Sequence, residues 1–362
     1  MIFGSALYQR YLIREAMASI VLVLAAFLAL FSFFDMVGEM RSISDEGYQF
    51  FQALIVVVLR LPGMIYELIP IAVLIGTLYA LSTLARHSEI TVMRASGLST
   101  RALLFTLFRM AGVFALLTFL VGEFVAPASE RLGREFQARA MSRVVATQGF
   151  SSGIWLKDGR SFINVREALP DSALRGVRIY QFGSGDELVS VTDAEEADFD
   201  AAGHWNLRRG QQTQLTGDVV KLEKFESQAW HSAFTPNLLA VLMVAPDRMS
   251  AMSLVRYISH LSDNKQKSER YQIALWKKII YPLAALVMVA LALPFGYSHD
   301  RVGGVSLKIF AGIMLGILFY ALNGLFSNLG VINAWPPFAS AVAPSALFLM
   351  AAIALLWWVE RR

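Results

Sequence analysis

The chain has 362 residues, of which 56% are apolar and only 17% are charged, and its formal net charge is +4. A soluble globular protein has about 45–50% apolar and ~25% charged residues, so this composition excludes a cytosolic enzyme, a secreted scaffold and a disordered regulator. Uncharged apolar stretches of about 20 residues, the length needed to cross a ~30 Å hydrocarbon core, recur along the chain and predict a polytopic membrane protein.

Residues 1–147 are predicted to contain the first three of six transmembrane helices. The first covers Ala16–Val37, and the second is expected to be kinked or broken at Pro62 and Pro70. Phe50–Leu59, which precedes it, is too short to span the membrane and is expected to form a separate interfacial or re-entrant piece. The third helix covers Ala102–Gly122.

A short helix is predicted in the loop between spans two and three, at residues 85–98. Ser88 is placed to cap its start and Gly97 to end it. Its apolar side and its charges suit docking into a groove on a cytoplasmic partner, and the alternative is a helix that lies on lipid headgroups. The residues expected to make the docking contact are Arg86, Glu89, Met93, Arg94 and Gly97.

Residues 148–250 are predicted to form an inserted all-β domain. Acidic residues outnumber basic ones between Gln148 and Asp247, which is typical of a water-soluble part. The Asp158-Gly159 pair lies between two β-like segments and predicts a hairpin. Turn signals recur about every 8–12 residues and indicate a sandwich or a jellyroll-like domain.

Residues 251–362 are predicted to contain spans four to six. Span four covers Ile279–Tyr297, and the charge-free stretch Ile309–Val359 is long enough for two more, joined by a turn at Asn333–Pro337. Gly312 and Gly316 in span five allow a neighbouring helix to approach closely, and we interpret them as packing residues.

The orientation follows from the distribution of lysine and arginine in short loops. The two short loops on one side contain Arg41 as their basic residue, and the other side is rich in basic residues. Both termini are therefore predicted to be cytoplasmic and the β domain to lie outside. The basic residues on the inner side are Arg10, Arg14, Arg86, Arg94, Arg101, Arg301, Lys308, Arg361 and Arg362.

Further arginines stand on the outer side, where the positive-inside rule does not place them. One interpretation is a solvated helix face, and the other is a basic ring that binds an anion such as a phosphorylated lipid headgroup. Asp35 and Glu67, near the outer ends of spans one and two, are expected to pair with part of this ring. Its candidate phosphate ligands are Arg41, Arg131, Arg134, Arg139 and Lys278.

Catalytic and metal-binding motifs are absent from the sequence: it has no HExxH pair, no GxSxG elbow, no P-loop and no cysteine. We therefore predict neither catalytic nor metal-binding residues. Two alternatives to a transporter stay open at this point. An integral-membrane enzyme acting on lipid or cell-wall precursors would use Asp35 and Glu67, and a membrane scaffold would use the β domain to recruit partners.

Over essentially its whole length the chain resembles the LptF/LptG permease family of the lipopolysaccharide exporter. The Trp155-x-Lys157-Asp158-Gly159 form is similar to the LptG branch rather than the LptF branch. The segments that carry the resemblance are Ala85–Gly97, Gly122–Pro127, Gly153–Gly159 and Arg270–Trp276.

The resemblance implies a non-enzymatic permease subunit of an ATP-binding cassette transporter in the bacterial inner membrane. Such a subunit extracts lipopolysaccharide and passes it to a periplasmic bridge toward the outer membrane. The helix around Glu89 would dock on the LptB ATPase dimer, and ATP and Mg²⁺ would bind to that partner, so no cofactor is expected in this chain. The β domain would face the periplasm.

The resemblance also implies the remaining partners. One LptF subunit would enclose the lipid cavity together with this chain, and spans one and five would form lateral gates. LptC would insert a helix at one gate, and its periplasmic domain would receive lipid from the β domain. The expected cavity and gate residues are Phe31, Phe34, Phe319 and Phe326.

In the family's best-known member, basic residues at the outer ends of spans one and three hold the phosphates of lipid A. Arg134 stands in the matching frame, and Arg41 is expected to face it across the cavity mouth. Two positions depart from that pattern, because Asp35 stands where that member has lysine and Gln137 stands where it has arginine. Arg139 is the expected substitute for the missing arginine.

Overall fold

The computed structural model describes most of the chain. Within the described ranges, six helices are long and apolar enough to cross a membrane, as predicted. Arg41, a predicted phosphate ligand, lies outside the described residues, and Arg139 is described as a backbone position only. The described ranges are 2–40, 49–97, 99–140, 153–168, 173–185, 187–200, 204–216, 219–230, 232, 245–264, 266–297 and 305–361.

In the part of the chain that the structure describes, five α-helices precede the β-sheet and five follow it. The first five are α1 (Ile2–Met40), α2 (Phe50–Arg86), α3 (Glu89–Ala95), α4 (Thr100–Leu120) and α5 (Ala126–Ala140). A π-helical turn, Val121–Val125, joins α4 to α5. The last five are α6 (Ala251–Asp263), α7 (Glu269–Ile280), α8 (Ala284–Tyr297), α9 (Val305–Ile332) and α10 (Pro337–Glu360). Short 3₁₀ turns, Pro246–Arg248 and Tyr281–Leu283, precede α6 and α8.

Span two is longer than the sequence predicted. Helix α2 is continuous from Phe50 to Arg86 and contains both Pro62 and Pro70, so the expectation of a separate interfacial or re-entrant piece at residues 50–59 is wrong. A proline removes one helical hydrogen bond, but helices packed around it in a membrane bundle can satisfy the freed carbonyl. Length and proline content alone therefore do not break a span that is buried among other helices.

Helices α2 and α8 form the centre of the bundle, and α1 and α9 lie at its edge. The most apolar window of α2 is 72% buried, against 11% for α1 and 22% for α9. Glycines allow these edge helices to approach α2. A Cβ atom at Gly312 of α9 would lie 2.5 Å from Leu78, and a Cβ atom at Gly76 would lie 2.5 Å from the Cα of Ile20 in α1. The packing interpretation of the glycine pair in span five is confirmed.

Between residues 153 and 230, the described part of the inserted domain is all-β, as predicted. Its six strands form one antiparallel sheet whose neighbours follow the order of the chain. Asp158 pairs with Ser161, so the first hairpin turns through Gly159 and Arg160, and Gly159 has a φ of +58° that favours glycine. The strands are β1 (Ile154–Asp158), β2 (Ser161–Ala168), β3 (Leu174–Phe182), β4 (Leu188–Phe199), β5 (Trp205–Thr216) and β6 (Val219–Trp230).

The first hairpin of the sheet contacts the end of α6. The backbone N–H of Gly159 donates to Oδ1 of Asn264, the residue that follows α6, over 2.9 Å. The hydroxyl of Ser232, just beyond β6, donates to Asp158 over 2.6 Å. Helix α6 in turn packs on α7 through Leu254 and Ala274. The sheet is thus connected to span four through the hairpin that carries the Trp155–Gly159 segment.

Candidate functional site

The helical bundle has two ends of different chemistry. We call the end where α5, α6 and the sheet meet the sheet end, and the opposite end, where α2 leads into α3, the α3 end. Arg131 and Arg134 lie on α5 at the sheet end, whereas Arg86 and Glu89 lie at the α3 end. The two groups of predicted binding residues are therefore separated by the length of α2.

At the sheet end, a buried carboxylate joins two arginines. Oε1 of Glu130, whose side chain is 8% exposed, accepts a hydrogen bond from Nη2 of Arg134 over 3.1 Å and from Nη1 of Arg248 over 2.6 Å. Arg131 instead pairs with Glu135 on the exposed side of the same helix, over 2.9 Å. Of these two predicted ligands, only Arg134 is held against a buried partner.

A second buried carboxylate joins α1, α2 and α5. Glu39 accepts hydrogen bonds from Arg60 over 2.8 Å and from the amide of Gln137 over 3.1 and 3.2 Å. Arg60 also donates to Gln137 and lies 3.6 Å from Asp35. The two departures noted in the sequence, Asp35 and Gln137, are thus both neighbours of Arg60, which the sequence did not mark as a site residue.

Lys278, a third predicted ligand, is buried at the start of span four. Its ammonium group donates to the backbone carbonyl of Met249 and lies 5.4 Å from the centre of the Tyr66 ring. These contacts fix the chain that returns from the β domain against α2 and α7. Phosphate binding by Lys278 stays a prediction, and it would require the ammonium group to exchange this carbonyl for a phosphate oxygen.

The segment that returns from the β domain is also held by span three. The carboxylate of Glu123, in the π-helical turn, accepts hydrogen bonds from the backbone N–H of Ala251 over 2.7 Å and of Met252 over 3.4 Å. These are the first N–H groups of α6, where a negative charge is stabilising.

The Arg248 guanidinium is stabilised in its charged form. Burial lowers its pKa, but the nearby Glu130 carboxylate has the larger effect, so the pKa of the guanidinium is raised.

At the α3 end, the predicted helix is present but its contacts differ from expectation. Ser88 precedes α3 with a φ of 60° and makes no side-chain cap, because its backbone is left-handed, whereas Gly97 follows the helix with a φ of +94° as expected. Ile90 is buried in the bundle core, so part of the apolar side faces inward. Arg86, Arg94 and Gly97 are exposed, and Glu89 and Met93 are half-buried.

Glu89 has a partner within the chain. The side chain of Tyr11 on α1 lies near its carboxylate. This contact ties α3 to the first span, which the sequence did not predict. The remaining exposure of Glu89 leaves the carboxylate able to contact a second donor.

The four predicted gate phenylalanines occupy different environments. Phe31 and Phe34 on α1 are 44% and 59% exposed, and Phe326 on α9 is half-buried. Phe319 is 1% exposed, with its ring centre 6.4 Å from that of Tyr281 and 5.1 Å from that of Phe348. Phe31 and Phe34 lie on the surface of the bundle, whereas Phe319 packs in its core.

Some of the ion pairs at the sheet end can be expected from the sequence, and others cannot. Glu130 and Arg134 are four residues apart on one helix, a spacing that places two side chains together. Arg248 is separated from Glu130 by 118 residues, and no local pattern links them. Arg60 and Glu39 lie on different helices, so their contact depends on how α1 and α2 pack.

The structure combines six spans with an inserted antiparallel sheet. The ion pairs around Glu39 and Glu130 lie between them, and we call these residues the charged layer. This arrangement is that of a multi-pass membrane protein with an extramembrane β domain. A family model described as "Lipopolysaccharide export system permease LptF/LptG" matches residues 10–358. The chain belongs to this family of permeases. It is a multi-pass protein of the inner membrane and a transport component, so the alternative of a lipid-modifying enzyme is not supported.

Individual relatives match along nearly their full length. The lipopolysaccharide export system permease protein LptG of Escherichia coli (strain K12) is 31% identical over 352 residues, which cover 96% of this chain and 97% of that protein. LptG of Haemophilus influenzae is 29% identical over 355 residues, 98% of each chain. That these relatives are LptG proteins agrees with the form of the Trp155–Gly159 segment.

Proposed function

We propose that this chain is the LptG-type half of an ATP-driven exporter that takes lipopolysaccharide out of the inner membrane and passes it toward the outer membrane. The observation that carries the proposal is the family match along residues 10–358, which includes all six spans and the inserted sheet. LptF is the proposed second permease, and the two would enclose the lipid between them.

The proposed orientation places both termini and α3 in the cytoplasm and the sheet in the periplasm. The basic residues of the short loops support it, because they lie mostly at the α3 end. In this orientation the charged layer at the sheet end lies at the periplasmic surface of the membrane. That is where the phosphates of a lipid in the outer leaflet would lie.

The proposed coupling element is α3 with its flanking residues. Arg86 and Arg94 are exposed there, and the Glu89 carboxylate is half-exposed beside Tyr11. A groove of the LptB ATPase dimer would bind this surface, so that movements driven by ATP reach span one through the Tyr11 contact and span two through its direct connection to α3. ATP and Mg²⁺ would be held by LptB.

The proposed lateral gates are spans one and five. The low burial of α1 and α9 supports this assignment, since a span that meets lipid or a partner subunit has few neighbours in its own chain. Phe31, Phe34 and Phe326 would contact lipid or the partner there. Phe319, on the inner side of α9, would hold that helix against the core of the bundle. A helix of LptC is the proposed occupant at one gate, and the sheet would deliver lipid to its periplasmic domain.

The proposed ligand for the lipid phosphate is Arg134, with Arg41, Arg131, Arg139 and Lys278 as further candidates. The side chain of Arg134 is 34% exposed, so part of the guanidinium stays accessible while Glu130 fixes its position. An arginine can hold a phosphate through two parallel hydrogen bonds, which lysine cannot do.

Photo-crosslinking tests this assignment. A photoreactive residue at position 134 should form an adduct with lipopolysaccharide in the assembled transporter, and one at position 96, beside α3, should not. Arg134→Ala should weaken export while leaving complex assembly and basal ATP hydrolysis intact. An absent adduct together with normal export by Arg134→Ala would show that these arginines form a solvated face.

A further inference from the structure

Two arginines from opposite sides of the β domain meet at one oxygen atom. Arg134 precedes the β-sheet in the sequence and Arg248 follows it, yet both donate to Oε1 of Glu130. Two guanidinium groups that bond the same oxygen lie side by side. Such a pair of cations is stable in close contact only because a carboxylate lies between them.

The carboxylate is buried but the cations are not. The Glu130 side chain is 8% exposed, whereas Arg134 is 34% and Arg248 48% exposed. The accessible surface of these three side chains is therefore mainly cationic, although Glu130 lies beneath it and Glu67 and Asp35 add negative charge near Arg248. An anion that arrives from solvent or from the membrane surface meets the two guanidinium groups first.

We infer that Arg248 is a second ligand for the lipid phosphate, and that Glu130 is the internal counter-ion with which the phosphate competes for the two arginines. The inference rests on the proposed function, because it requires that Arg134 bind a phosphate. A phosphomonoester carries about −1.5 to −2 charges and three acceptor oxygens, so it can bond both guanidinium groups at once. Before any phosphate binds, one oxygen of Glu130 already holds the two guanidinium groups next to each other.

The same geometry links the ligand to the β domain. Arg248 belongs to the segment that returns from the sheet and leads into α6, whose first N–H groups bond Glu123. A phosphate bound by Arg134 and Arg248 therefore contacts both chain connections of the β domain. The bound lipid would strengthen the contact between span three and the segment that precedes span four.

The test is equilibrium binding of lipid A to the purified transporter, with and without removal of the lipid phosphates. Arg248→Ala should weaken binding of the phosphorylated lipid by roughly tenfold, the loss expected for one charge-assisted hydrogen bond, and should leave the dephosphorylated lipid unaffected. Glu130→Gln should strengthen binding of the phosphorylated lipid, because the competing charge is removed while the shape is kept. These opposite signs distinguish a ligand from a structural ion pair.

The matched control is Arg208→Ala in the β domain. Arg208 pairs with Asp198 over 2.7 Å and is 54% exposed, close to the values for Arg248, and its loss should leave binding unchanged. Arg248→Lys serves if the alanine variant does not fold. The lysine variant keeps the positive charge but lacks the planar guanidinium group with its parallel N–H donors, so it should bind the phosphorylated lipid more weakly than the wild type.

Several outcomes would overturn the inference. Equal weakening by Arg248→Ala and Glu130→Gln would mean that the pair only holds the fold together. Binding of inorganic phosphate, with no discrimination between the two lipids, would assign the site to free phosphate instead. If Arg134→Ala weakens binding and Arg248→Ala does not, this inference fails alone; if neither does, the proposed phosphate site fails with it.

Discussion

The two ends of the helical bundle carry charges in opposite ways. At the sheet end, the carboxylates of Glu39 and Glu130 are 7% and 8% exposed, and each accepts hydrogen bonds from two side chains, at least one of which comes from another segment. At the α3 end, Arg86 and Arg94 are exposed and Glu89 is half-exposed. The sheet end buries its carboxylates beneath partly exposed arginines, whereas the α3 end presents charges of both signs on its surface.

The difference suits the ligand and the partner protein that we propose for the two ends. A buried charge is costly unless other groups compensate it, so a layer of buried carboxylates fixes the positions of the arginines around it. Exposed charges contribute little to folding and are available to a partner protein. We therefore expect loss of the Glu39 carboxylate at the sheet end to act first on stability, and loss of the Glu89 carboxylate at the α3 end to act first on assembly.

The largest effect that would test this comparison is an all-or-none difference in labelling. The chain has no cysteine, so Ser184→Cys in the turn between β3 and β4 and Ser96→Cys beside α3 each introduce a single thiol at an exposed position. An impermeant thiol reagent added to cells with a permeabilised outer membrane should label the first variant and not the second. Labelling of both variants from the same side would reverse the proposed topology.

Loss of a buried carboxylate should give the next largest effect. Glu39→Ala leaves Arg60 and Gln137 without their shared acceptor, and we expect unfolding to become easier by about 3 kcal/mol, the low end for a broken buried pair, because Asp35 remains near Arg60. Thermal unfolding of the detergent-solubilised protein measures this. Glu135→Ala, which breaks only the exposed pair with Arg131, should change stability by under ~1 kcal/mol. Equal shifts would contradict the distinction.

Substitution at the α3 end should affect assembly instead. Glu89→Ala removes a charged hydrogen-bond acceptor from the proposed ATPase contact, so affinity for the ATPase should fall by roughly 1.5–3 kcal/mol. Co-purification and stimulated ATP hydrolysis are the measurements. Tyr11→Phe removes the hydroxyl group that lies near Glu89 within the chain but keeps the carboxylate, and this variant should assemble normally. Full assembly of Glu89→Ala would exclude Glu89 from the contact.

The smallest expected effect concerns the glycine after α3. Gly97→Ala places a Cβ atom at a φ of +94° and should lower stability by about 1 kcal/mol. Gly112→Ala, in the middle of α4 with no neighbouring atom within 4 Å of the new Cβ, should be neutral or slightly stabilising. Thermal unfolding of both variants gives the comparison, and a loss at Gly112 as large as that at Gly97 would contradict it.

Spans, strands and turns were predictable because each depends on a local pattern. The uncharged stretches located the six spans, and alternation with turn residues located the sheet and the Asp158–Ser161 hairpin. The separate piece at residues 50–59 was wrong because the continuity of α2 depends on its neighbours in the bundle. The missing cap at Ser88 has a similar cause, since packing of Ile90 into the core sets the direction of the chain there.

The charged layer was only partly predictable. Arg134 and Arg131 were identified from their position on the outer side, but their different partners depend on which face of α5 meets the returning chain. Arg60, Glu39 and Arg248 became visible only in the structure, because each contact joins segments that are far apart in sequence. Pairs of residues far apart in the sequence produce no periodic pattern of residue types, so a sequence pattern cannot predict them.

The shared carboxylate also sets an order of events during biogenesis. Synthesis proceeds from the N-terminus, so Glu130 is made together with Arg134 but 118 residues before Arg248. Its neighbour on the same helix can pair with it while the β domain is still being synthesised. The second arginine becomes available only when the domain has been completed, so the full contact of three side chains forms only in a finished subunit.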